Sequence, residues 1–212
     1  KIANTLARAT QANIDMVESI NLFNVAMGEY AEVTNKALEH TEKFTGLDLT
    51  NLQNRAGTFN LLARSMGIAD DQSAKLSENM TRLSIDLASL TNVSVNQAAQ
   101  DLRSGLVGQS ETMYKYGVDV TEAALKQEAL NQGITKSVRQ MSQGEKMALR
   151  YAVTIRQTAL SHGDFARNIE TPANQLKILS ERFVTLTRTI GSVFIPMLTR
   201  LLPYVNAVVI VL

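Results

Sequence analysis

Acid–base, nucleophilic or metal chemistry would have to come from very few side chains in this chain. It holds two histidines, His40 and His162, and no cysteine. A hydrolase needs a nucleophile within reach of a base, or paired acids in a cleft. A zinc site needs three or four nitrogen or sulfur ligands, which two distant histidines cannot supply. His40 reads as a solvated residue near the end of the first helix. His162 reads as a partner of a helix C-terminal dipole, on the last turn before Gly163. The neighbouring acids Asp70 and Asp71 suggest a hard cation, but acids in a first helical turn are ordinary dipole partners. Asp164, in "HGDFARN", reads as a turn carboxylate accepting from backbone N–H groups, with Arg167 as its ion partner. No catalytic residue, metal ligand or cofactor is assigned.

Two features could bind nucleic acid. "GLVG", Gly105 to Gly108, matches the G-x-x-G spacing of a backbone-clamping loop, yet such a loop needs flanking strands and a polar interior. Here the interior is Leu106 and Val107, so the stretch reads as a joint between helices. Six basic residues gather at Lys136, Arg139, Lys146, Arg150, Arg156 and Arg167. With no interleaved aromatics, and with Glu145 and Asp164 close by, they read as a solvated face, not a specific nucleic-acid site. A net charge of +1 gives no general attraction to polyanions.

The elements that would position these residues are all helical; no segment alternates apolar and polar with period two. The fold class is all-α. Residues 1–45 read as one long helix of roughly 65 Å, with a coiled-coil-like seam of Met16, Ile20, Phe23, Met27 and Tyr30. Residues 50–165 read as a compact module of short helices cut at glycines. Gly67 closes its first helix, and Asp70 caps the next, whose apolar row is Leu76, Met80, Leu83, Leu87 and Leu90. Ser94 with Gln97 fits a capping box. Gly105 and Gly108 end that helix, and a short turn of helix follows up to Gly117. Thr121 caps a helix closed by Gly133. Ser142 and Glu145 form a second box for a helix running to about His162, stopped by Gly163.

Thr171 as cap and Pro172 at the first position open the last long helix, 171–202. Its seam of Leu176, Leu179, Phe183, Leu186, Ile190, Val193 and Met197 alternates steps of three and four, with Pro196 and Pro203 expected to kink or end it. Residues 203–212 begin an apolar segment. "VFIPMLTRLLPYVNAVVIVL" approaches membrane-spanning length, but Arg200, two prolines and Asn206 interrupt it. The start of a span continuing past Leu212, in a membrane-active helical module that helps a genome cross an envelope, is the alternative reading. Both ends look cut, so a piece of a longer polypeptide is expected.

"GLVGQSETMYKYGVDVTEAALKQEALNQGI" resembles a segment of phage tail tape measure proteins. "GTFNLLARSMGIADDQSAKLSENMTRLSIDLASLTNVSVNQAAQDL", with Asp86–Leu87–Ala88–Ser89 at its core, is similar to the preceding family segment. "SQGEKMALRYAVTIRQTALSHGDFARNIETPANQLKILSERFVTL" and then "IGSVFIPML" resemble the next family segments toward the C-terminus. The likeness covers about residues 55–200 in unbroken order. It departs at Gln109 and Thr112, where many relatives carry acidic or apolar residues. The resemblance implies a virion structural protein, not an enzyme. It would lie in the tail lumen or tip, and in the host cytoplasm during assembly, and would set tail length and leave at genome ejection. Implied partners are other copies, joined as a homo-oligomer through the helix seams, tail-tube, tail-tip or distal tail proteins, and the host membrane during infection. The compact middle would be a docking part, not a ruler segment.

Overall fold

The structure is a computed structural model; it describes residues 2–211, with side chains described for 7–193, 195, 196 and 200. Among the described residues every regular element is helical. In chain order these are α1 (Ile2–Met27), α2 (Ala31–Thr45), α3 (Leu49–Ser65), α4 (Asp70–Leu90), α5 (Val95–Val107), α6 (Glu111–Tyr114), α7 (Glu122–Asn131), α8 (Gln143–Gln157), α9 (Asp164–Arg167) and α10 (Pro172–Val211).

The first 45 residues are two helices, not one. Gly28 takes φ +54 at the break, a conformation that side chains disfavour. Arg64 of α3 donates to the Ala26 carbonyl, satisfying one of the acceptors released where α1 stops. From there α1 packs on α3 and α10, while α2 packs on α3, α4 and α9. The first seam is turned inward. Phe23 and Met27 are buried, and Met16, Ile20 and Tyr30 are half-buried. Gly57 lets α3 approach closely, because a Cβ there would lie 3.1 Å from the Phe23 Cα.

Most of the core lies along α3, α4, α5 and α8, with Leu52, Phe59, Met80, Leu87, Leu102 and Met147 fully enclosed. Burial of one such leucine contributes about 1.5–3 kcal/mol. Leu76, Met80, Leu83 and Leu87 form the inner row of α4, but Leu90 at its end is exposed.

Several helix ends depart from expectation for identifiable reasons. Ala69, not Asp70, holds the cap position of α4, and the Asp70 carboxylate pairs with Arg64 at 2.9 Å. Ser94 accepts from the Gln97 amide, but the Gln97 side chain turns to Asp101, so only half the box forms. Thr121 has the cap backbone without a side-chain bond, while Asp119 accepts from its amide. Ser142 and Glu145 form the reciprocal box. Thr171 precedes Pro172 and accepts from the Gln175 amide through its carbonyl; its hydroxyl donates to the Asn168 carbonyl. Pro196 and Pro203 do not end α10, which runs on to Val211; each removes a single N–H donor, and the turns on either side carry the helix across.

Gly67, Gly108, Gly117, Gly133 and Gly163 all adopt positive φ at helix ends or turns. Gly105 is different: it lies inside α5 against the Met113 side chain, which occupies the space a Cβ would take. The "GLVG" stretch is therefore a helix end under which α6 tucks. Asp101 holds this joint, accepting from Tyr116 Oη at 2.7 Å, Gln97 Nε2 at 2.9 Å and Lys115 Nζ at 2.5 Å. Burial works to raise the Asp101 carboxyl. The bonds from Lys115, Tyr116 and Gln97 outweigh it and hold the group below its usual range.

Candidate functional site

The last helix has its faces reversed. Leu176, Phe183 and Val193 are 65%, 59% and 63% exposed, and Leu179, Leu186 and Ile190 are exposed with them. The seam read from the sequence is thus left largely uncovered by its own chain; the Met197 side chain lies outside the described residues. A helix beside a core normally turns its apolar stripe inward. Here the inward row is Asn174, Ile178, Glu181, Arg188 and Gly191. In a heptad frame Leu176, Phe183 and Ile190 take one apolar position and Leu179, Leu186 and Val193 the other, while Asn174, Glu181 and Arg188 repeat every seven residues on the opposite side.

What holds the polar row is a network at the start of α3. Asp48 caps α3 by accepting from the Asn51 amide at 2.9 Å. It also accepts from the Thr185 hydroxyl at 2.6 Å and pairs with Arg188 Nη1. Arg188 Nη2 donates to Asn51 Oδ1 at 2.7 Å, and Asn51 Nδ2 donates to Glu181. Arg55 Nη2 completes the row on Glu181 Oε1 at 2.9 Å. Both ion pairs are largely buried. Further along, Gly191 lies so close to the Ala9 carbonyl that no side chain fits there, and Asn13 Nδ2 donates to the Arg188 carbonyl at 3.5 Å. The network fixes which way α10 faces, and it needs three separate segments to do so.

The residues weighed for chemistry do not converge. His40 is exposed on α2. His162 is not at the end of α8, which stops at Gln157; it follows directly on a 3-10 turn, Ala159–Ser161, as its C-terminal cap residue. The Thr158 hydroxyl donates to the Thr154 carbonyl, closing α8 early. Asp164 pairs with Arg167 at 3.6 Å and accepts from Asn168 Nδ2. The carboxylate that binds the backbone of this turn is Asp86, which accepts from the Gly163 amide at 2.8 Å and the Phe165 amide at 3.1 Å. Burial raises the Asp86 carboxyl against these two bonds. With both oxygens engaged it is a clamp between α4 and α9, not a free base. Its "DLAS" setting gave no signal of that role.

The basic cluster is mostly paired. Lys136 meets Glu145, Arg139 meets Glu122 and Arg156 meets Glu128. Arg150 is not on a solvated face; it donates to the Leu106 carbonyl at 3.2 Å and closes the end of α5. Among the described residues no group of histidines and acids could hold a metal ion, and no helix is long and apolar enough to cross a membrane. No known protein family, curated protein or solved structure matches the chain.

Proposed function

We propose that this chain is a non-catalytic assembly part of a phage tail, a segment of a tape-measure-type protein. In this reading long amphipathic helices at the two ends flank a compact helical module. The module docks on tail-tip or neighbouring chains, and the outer row of α10 joins copies inside the tail. The reading is carried by one observation: six apolar side chains, Leu176 to Val193, are displayed on one stripe of a helix whose polar face is spent on its own body. Exposed apolar surface of that regularity marks an interaction site, and alternating three and four steps fit a second helix. The sequence resemblance over 55–200 supplies the setting. A chain whose role is assembly has no need of a reactive centre.

The test is electron microscopy of tails produced with Leu179→Glu and Leu186→Glu together in the parent protein. Finished tails are expected to be absent or aberrant. Normal infectious tails at wild-type yield would remove α10 from assembly and overturn the proposal.

A further inference from the structure

A cleft of about 480 Å³ opens between α10, the start of α5 and the middle of α3. Arg55, Lys177, Ser180 and Glu181 line it together with the first residues of α5. Arg55 is only 3% exposed. Its Nε donates to Asn96 Oδ1 at 3.1 Å and its Nη2 to Glu181, while Nη1 has no acceptor among the described residues. A buried guanidinium nitrogen without an acceptor is costly.

The other groups repeat that imbalance. Ser94 takes up the Gln97 amide, which leaves the Val95 and Asn96 amides, at the positive end of α5, without helical acceptors. Lys177 Nζ has only long bonds, 3.5 Å to Asn92 Oδ1 and 3.3 Å to Asn174 Oδ1. Burial holds its ammonium below the usual range, a strain that a nearby anion would relieve. Glu181 is the one carboxylate in the lining, and both its oxygens are engaged, by Arg55 and by Asn51. Donors therefore outnumber acceptors, and two cations against one carboxylate leave a single positive charge. Val93, Val95 and Leu176 add an apolar wall.

We propose that this cleft binds a carboxylate, the acidic side chain or chain terminus of a partner, between Lys177, Arg55 and the start of α5. A monoanion with an aliphatic stem matches both the net charge and the wall better than a phosphate dianion. The site does not depend on the phage reading, and its test involves no assembly.

The experiment is an amide NMR titration of the full chain with acetate, and separately with inorganic phosphate, at constant ionic strength set by chloride. Saturable shifts confined to Val95, Asn96 and the Lys177 turn are expected with acetate. Lys177→Gln, a partly exposed position outside the Asp48 network, should weaken them about tenfold while circular dichroism stays unchanged. Linear shifts spread over the surface, or equal affinity in Lys177→Gln, would overturn the site. Tighter saturation by phosphate than by acetate would overturn the carboxylate assignment.

Discussion

Asp48 serves two helices at once, capping α3 and receiving Thr185 and Arg188 from α10. Removing one partner of such a buried pair leaves the other charge unpaired, at a cost of about 3–5 kcal/mol. Arg188→Met should therefore lower the unfolding free energy measured by urea titration by that order, and a loss of under about 1 kcal/mol would mean the pair is solvated. Asp101 makes a pH-dependent contribution. Its folded pKa lies below the unfolded value, so its stabilisation is present above the unfolded pKa and fades as pH falls through the folded one. In Asp101→Asn the acid limb of a stability-against-pH curve should flatten; an unchanged limb would assign acid sensitivity elsewhere.

At the scale of elements, α10 carries one surface that packs on its own chain and leaves an apolar stripe exposed. Since Leu179 and Leu186 are exposed, replacing both by glutamate should leave monomer stability within about 0.5 kcal/mol, read by thermal melting. Gly191→Leu should do the reverse, forcing α10 away from Ala9 and lowering stability by about 1–3 kcal/mol; an unchanged melting temperature would mean that the α1–α10 crossing is loose. The helices themselves, the reciprocal Ser142–Glu145 box and the heptad of α10 were legible in the sequence because each depends on residues three or four apart. The direction α10 faces was not, since it depends on Asp48, Asn51 and Arg55, more than a hundred positions earlier. The Asp86 clamp joins residues 77 apart and was hidden for the same reason. The break at Gly28 was not legible, because a glycine inside a helical pattern says nothing of which direction the chain takes there.

On the scale of the whole molecule, α1 and α3 carry an ordinary buried core on one side of the α10 attachment, and a continuous apolar stripe faces away from it. Lone exposed apolar residues are common on any surface; six on one helical stripe are not. Sedimentation equilibrium tests the proposal that this stripe is an interface. Concentration-dependent association of the wild-type chain is expected, weakened at least about thirtyfold, or about 2 kcal/mol, in the Leu179→Glu, Leu186→Glu variant, which stays folded. A wild-type chain that is monomeric at every concentration, or an association that the two glutamates leave unchanged, would contradict it.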